Sequence, residues 1–330
     1  MFILMLSVED ILAAHKRIEQ YIVKTPIMTS NTLDSLTRCK VYLKCENFQR
    51  VGAFKFRGAL NALSLLSSEE KEVGVVAHSS GNHAQAVSLA AKMLNIEATI
   101  VMPSDSSPVK IQATKGYGAK VILCKPTLES RIATTEELIE EYGYTLIHPY
   151  NDLRVIAGAG TAALEFISEV GCIDIMMTPV GGGGLLSGTS IVTKSKCPDA
   201  RIIAGEPENA DDAYKSFKAK KFIPSVNPNT FADGLRTSLG ENTFEIILNF
   251  VDDIITVSEK EILEAMRFLW ERMKLVVEPS GAVPIAALVK QKKQLDGQKI
   301  GVIISGGNVD LSDYFINFEH KIGGGSGINL

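Results

Sequence analysis

Ile173-Asp174-Ile175-Met176-Met177-Thr178-Pro179-Val180-Gly181-Gly182-Gly183-Gly184 reads as a buried strand running into four glycines, with an apolar helix to follow. Four consecutive glycines let backbone N–H groups converge without interference from Cβ atoms. The next helix adds the positive end of its dipole. That combination suits a phosphate monoester, and a mere flexible turn rarely needs four glycines between a buried strand and an apolar helix.

The same strand–loop–helix grammar recurs on either side. Gly74 to Ala77 reads as a strand before Ser79-Ser80-Gly81-Asn82-His83 and the helix Ala84 to Leu94. Lys299 to Ile304 reads as a strand before Ser305-Gly306-Gly307-Asn308. Further strands are expected over Lys40 to Cys45, Ala98 to Met102, Lys120 to Cys124 and Arg201 to Gly205. Helical periodicity marks Val8 to Ile22, with Ser7 as its N-cap, and also Phe56 to Leu66 and Lys110 to Tyr117. Such alternation predicts parallel sheets in an α/β protein. The strands are too many for one small sheet, so two open twisted α/β domains are expected. All three polar or glycine-rich loops then fall beyond strand carboxyl ends, where open parallel sheets bind ligands.

Lys55, in Ala53-Phe54-Lys55-Phe56-Arg57-Gly58-Ala59, is a lone cation between two phenylalanines. It either snorkels to water or does chemistry that needs a lowered pKa. A phosphate cradle, a lysine in apolar surroundings and a polar loop together fit pyridoxal 5′-phosphate (PLP). That cofactor needs a lysine amine, donors for its phosphate and a partner for its pyridine nitrogen. Gly158-Ala159-Gly160-Thr161-Ala162-Ala163 imitates a dinucleotide fingerprint, but no clear strand precedes it and no suitable acidic residue follows. A nicotinamide oxidoreductase rests on that stretch alone.

The chain has 330 residues and a net charge of −4, which gives no basic field for nucleic acid and no polybasic stretch for a membrane surface. No apolar run reaches membrane-spanning length. Met1 to Leu6 is apolar but lacks a basic flank, so no signal peptide is expected. Five widely spaced cysteines indicate neither a zinc site nor a disulfide framework, which suits a cytoplasmic protein. The 320–330 tail, with its glycines, reads as flexible.

Glu46-Asn47-Phe48-Gln49 through Ala59, Ser79 to His83, the tetraglycine and Ser305-Gly306-Gly307-Asn308-Val309-Asp310 together resemble fold-type II PLP enzymes of the tryptophan synthase β-like architecture. Within these, the chain is similar to the serine racemase and serine/threonine dehydratase group over roughly residues 8 to 317. The resemblance implies that Lys55 holds PLP and acts as base on one face of the substrate, with Phe54 near the ring. It implies that Asn82 bonds the ring 3′-oxygen, Gly181, Gly182, Gly183 and Gly184 hold the phosphate, and Ser305 meets the pyridine nitrogen. Ser80 matches the acid/base of the opposite face in racemases, although dehydratases also carry serine there. Glu206, Ala210 and Asp212 match the family's Mg²⁺ or Ca²⁺ site; read alone, they are an acidic surface turn.

Ser30, Gln85 and Tyr117 match a nucleotide site at which ATP–Mg activates animal racemases, whereas Arg50 and Val51 depart from that pattern. Tyr150 stands where the animal racemase has asparagine, and Arg131 matches an arginine at the substrate mouth. Too few residues follow Ser305 for a C-terminal regulatory domain, so feedback control by isoleucine is not expected. The resemblance also implies a homodimer, with a large PLP-holding domain (1–73 plus 150–330) and a small mobile one (74–149). The expected activity is interconversion of L- and D-serine with elimination to pyruvate and ammonia. A dehydratase acting on threonine, serine or threo-3-hydroxyaspartate is the alternative, and a non-catalytic PLP-binding protein a more distant one.

Overall fold

The computed structural model describes residues 6–79, 81–106 and 108–311. Ser80 and the 320–330 tail lie outside the described residues. Among the described residues, ten strands form two sheets. They are β1 (Ile27–Met28), β2 (Lys40–Cys45), β3 (Val75–His78), β4 (Ala98–Pro103), β5 (Lys120–Cys124), β6 (Thr145–Leu146), β7 (Ile175–Pro179), β8 (Arg201–Pro207), β9 (Asp253–Val257) and β10 (Lys299–Ile304). The larger sheet has the order β1-β2-β10-β7-β8-β9, and the smaller β5-β4-β3-β6. Every pairing is parallel except β1 with β2. β4, β7 and nearly all of β8 and β10 are buried, as expected of parallel strands covered on both faces.

Ser7 caps the first helix, Val8–Ile18, in a capping box with Asp10. The helix stops at Ile18, short of the Ile22 expected from periodicity. Tyr21 and Ile22 instead pack as part of a non-helical turn against the core that holds Phe56 and Leu60. The fingerprint-like glycines lie inside the helix Leu153–Val170. A Cβ on Gly158 would sit 2.4 Å from Arg57 O, and one on Gly160 2.9 Å from Gly188 O. These glycines let three helices cross at close range, which is a packing role.

The cysteine reading needs correction, because Cys172 and Cys197 form a disulfide. Cys172 follows the helix Leu153–Val170 and Cys197 caps the helix Gly184–Lys196. The two helices pack on each other, so their carboxyl ends meet although the cysteines are 25 residues apart in sequence. Among the described residues, no helix is long and apolar enough to cross a membrane.

Candidate active site

β2, β10 and β7 are parallel neighbours, with Ile304 beside Cys45 and Val302 beside Met177. Their three following loops therefore leave one edge of the sheet together. Ala53 bridges to Gly306, and Phe54 N donates to Ser305 O at 3.0 Å. This pairing sets Ser305 beside the start of the helix Lys55–Ser64. Phe54, Lys55, Asn82, Gly181 to Gly184 and Ser305 all line one cleft.

Lys55 is half-buried, donates from Nζ to Pro149 O at 2.7 Å and lies 5.2 Å from the Phe54 ring centre. Burial lowers its pKa to about 8, against the opposing pull of Glu278. An amine so poised is partly neutral near physiological pH and can attack a carbonyl. Across the cleft, Gly183 sits at φ +88°, a left-handed conformation that favours glycine. A Cβ on Gly182 would fall 2.3 Å from the Tyr150 ring. The helix that begins at Gly184 has no side-chain cap, so its first N–H groups remain for an anion.

Asn82 opens the helix Asn82–Leu94 and is held at both ends of its amide. Its Nδ2 donates to Glu278 Oε1 at 2.8 Å, and its Oδ1 accepts from Asn308 Nδ2 at 2.8 Å. Asn308 Nδ2 also donates to Val51 O at 2.6 Å. Val51 has φ 55°, and a β-branched residue in that region costs about 1–3 kcal/mol. Burial, then the nearby Asp233, pushes Glu278 up to about 8. Glu278 was not anticipated from sequence; the visible signal was Pro279 at a helix start, which makes the preceding residue an N-cap.

Two histidines back the cleft. His148 Nδ1 accepts from Asn151 N at 2.9 Å and from Tyr150 N at 3.3 Å, so its proton sits on Nε2. Burial holds His78 and His148 down to about 4, and both are neutral at physiological pH. Tyr150 Oη and Thr237 Oγ1 share a 2.9 Å hydrogen bond at the cleft wall. Lys110 and Arg131 also line the cleft. Lys110 is ion-paired with Asp233, whereas the Arg131 side chain has no ion pair among the described residues.

A family model described as pyridoxal-phosphate dependent enzyme matches residues 18–306. The chain belongs to this family. It is 51% identical to a serine racemase of Dictyostelium discoideum over 93% of this chain and 96% of that one. It is 49% identical to the L-threo-3-hydroxyaspartate ammonia-lyase of Saccharomyces cerevisiae over 92% and 94% of the two chains. The crystal structure of the Dictyostelium serine racemase superposes with a TM-score of 0.88 at 50% identity, covering 93% of this chain and 99% of that chain. The architecture is that of fold-type II PLP enzymes.

The cleft fits the family's cofactor. The half-buried amine of Lys55 shares the cleft with an uncapped helix start behind glycines and with the Asn82 amide and the Ser305 hydroxyl. The second predicted site is buried, which corrects the surface-turn reading. Glu206 is 1% exposed and Asp212 4% exposed. Glu206 accepts from Ala213 N at 2.9 Å and Tyr214 N at 2.7 Å, while neither Asp212 carboxylate oxygen makes a close hydrogen bond among the described residues, although polar groups of Ser225 and Leu239 lie near enough to oppose the rise that burial gives its pKa. Buried Ala210 ends the short helical turn between them. Among the described residues no group of three or more His, Cys, Asp or Glu side chains is placed to hold a metal ion by itself. A cation here would need backbone oxygen and water to complete its shell.

The residues matched to a nucleotide site are dispersed over several elements. Ser30 caps the helix Asn31–Thr37 by accepting from Leu33 N at 3.3 Å. Gln85 is buried in the helix Asn82–Leu94, and Tyr117 packs against the core cluster that includes Val51.

Proposed function

We propose that this PLP-dependent enzyme is a serine racemase that also dehydrates serine to pyruvate and ammonia. The observation that carries the reading is Lys55, with its lowered pKa, in one cleft with the tetraglycine, Asn82 and Ser305. The close similarity to a serine racemase supports it. Bound PLP supplies an electron sink that acidifies the substrate Cα–H. The glycine amides and the helix start at Gly184 would hold its phosphate, Asn82 would donate to its 3′-oxygen, and Ser305 would meet its pyridine nitrogen. A neutral hydroxyl at that nitrogen cannot enforce a protonated ring as a carboxylate would. This favours proton transfer and elimination over transamination.

In this reading Lys55 takes the α-proton from one face and Ser80 returns one from the other. Racemisation needs both groups, whereas elimination needs one base and acid help for the leaving hydroxyl. Residues 74–149 form a small domain that closes on the larger one and excludes water. Glu206, Ala210 and Asp212 would hold Mg²⁺ or Ca²⁺, and the buried Asp212 oxygens, without a close hydrogen bond among the described residues, support this. A homodimer and ATP activation through Ser30, Gln85 and Tyr117 complete the proposal, on the strength of the resemblance. So does a cytoplasmic location, where the redox state of Cys172 and Cys197 can be read by thiol alkylation.

The test is L-serine with purified protein, scored for D-serine by chiral chromatography and for pyruvate. Ser80→Ala is expected to lose D-serine formation and keep pyruvate formation; absence of D-serine from the unmodified protein rejects the racemase reading. A second reading, ammonia-lyase action on 3-hydroxyaspartate, is favoured by Arg131 in the cleft, which has no ion pair among the described residues and suits a second carboxylate. It predicts keto acid and ammonia from L-threo-3-hydroxyaspartate in excess of any product from serine.

A further inference from the structure

The Asn82 amide can face the cleft in two ways, presenting either its N–H or its oxygen to a ligand. Three side chains and one carbonyl decide which. Val51 O is a backbone carbonyl and can only accept, so the Asn308 side chain must turn its Nδ2 toward it. The same Nδ2 reaches Asn82 Oδ1 at 2.8 Å, which fixes the Asn82 oxygen on that side. Asn82 Nδ2 is thereby turned toward Glu278 Oε1, again at 2.8 Å. One Nδ2 hydrogen is then left for the cleft that Asn82 lines.

Space for this chain is reserved at two glycines. A Cβ on Gly52 would lie 2.6 Å from Asn308 Oδ1, and a Cβ on Gly306 would lie 2.5 Å from Glu278 Oε1. Asn308 also ties down the left-handed Val51, a conformation that persists only where its surroundings enforce it. The chain joins segments far apart in sequence: the turn before Lys55, the start of the Asn82 helix, the loop after β10 and the cap of the Pro279–Lys290 helix.

We propose that Asn308 is a positioning residue, an amide relay that runs from the Val51 carbonyl to Asn82 and commits Asn82 to donate toward the cofactor's 3′-oxygen. The inference rests on the reading that this cleft holds PLP. Glu278 serves as the far stop of the relay, accepting the Asn82 hydrogen that does not face the ligand.

The relay makes an inverted size prediction. Asn308→Asp keeps the shape of the side chain but sets a carboxylate against two oxygens, Val51 O and Asn82 Oδ1. Asn82 then has to turn its Nδ2 to Asp and its oxygen to the ligand. Asn308→Ala removes the donor without forcing that turn. The experiment titrates PLP into the apoprotein of each full-length variant, following quenching of the single tryptophan, Trp270, whose indole bonds to Val277 O next to Glu278. In parallel, the pH midpoint of the bound cofactor's visible absorption band is recorded.

The expected result is about tenfold or more weaker PLP binding for Asn308→Asp, a smaller loss for Asn308→Ala, and a displaced band midpoint in both. Equal affinity for Asn308→Asp and the unmodified protein, or a greater loss for Asn308→Ala, overturns the relay. If Asn308→Asp does not fold by circular dichroism, Asn308→Ala decides alone. A shifted midpoint then supports the relay and an unshifted one rejects it. Failure of the unmodified protein to bind PLP rejects the reading beneath it, and the relay with it.

Discussion

A lysine amine attacks a carbonyl only after it has lost its proton, and burial in the cleft brings the Lys55 pKa down to about 8. The rate at which the apoprotein captures PLP covalently is therefore expected to rise roughly tenfold per pH unit below that value and level off above it. Stopped-flow growth of the visible band between pH 6 and 9 measures this; a rate flat across the range contradicts the assigned cause. Two residues along, Arg57 does the opposite work. It is fully buried, bonded through Nε to Glu46 at 2.7 Å and through Nη1 to Glu165 at 2.8 Å, and Lys44 meets Glu165 at 2.7 Å. Two cations and two carboxylates balance there, so the start of the Lys55 helix is anchored with no net buried charge. Glu46→Ala strands part of the Arg57 charge and is expected to cost about 3–5 kcal/mol, read from the midpoint of urea unfolding.

Helix crossings raise the same question of fit at the scale of elements. Gly158→Ala would drive a methyl to 2.4 Å from the Arg57 carbonyl, and backbone cannot step aside as a side-chain tip can. Overpacking of this kind costs about 1–3 kcal/mol. Gly116→Ala is the control, since nothing lies within 4 Å of its Cβ and no positive φ forbids a side chain. Thermal melts should show the first variant destabilised and the second unchanged or slightly more stable; equal melts would remove the close-packing account of Gly158. These elements also show where sequence reading succeeds. The strand–loop–helix units around Gly74 and Gly181, and the strand and loop at Ser305, were legible because apolar runs, glycine and N-cap chemistry are local signals. The burial of Asp212, the pairing of Glu278 with Asn82 and the meeting of Cys172 with Cys197 were not. Each is fixed by how separate elements pack in space, and one chain read linearly carries no trace of that distance.

Among the described residues, molecule-wide cohesion includes one covalent tie and, beside the Asn82 bonds to Glu278 and Asn308, a weak ion pair at the cleft. The Cys172–Cys197 bond closes a loop of 25 residues behind the tetraglycine helix, at the end away from the cleft. Chain-entropy reasoning gives it about 3 kcal/mol of stability. Reduction should therefore lower the melting temperature while leaving turnover at 25 °C intact; a matching loss of turnover would place the bridge in the catalytic machinery. The weak contact is the Lys110–Asp233 ion pair. Lys110 belongs to the helix Pro108–Gly116 beside the four-stranded sheet, and Asp233 begins a turn on the side of the six-stranded sheet. Both side chains are partly exposed, at 22% and 40%, so the pair contributes no more than about 1 kcal/mol. If the lobes close on substrate, a contact of that size biases closure without locking it. Lys110→Ala should then raise KM about two- to fivefold with kcat little changed, and the unmodified protein should lose the same difference as ionic strength rises. A KM that responds neither to the substitution nor to salt would mean that closure, where it occurs, draws on the face of the cleft lined by Lys55 and the tetraglycine and not on this pair.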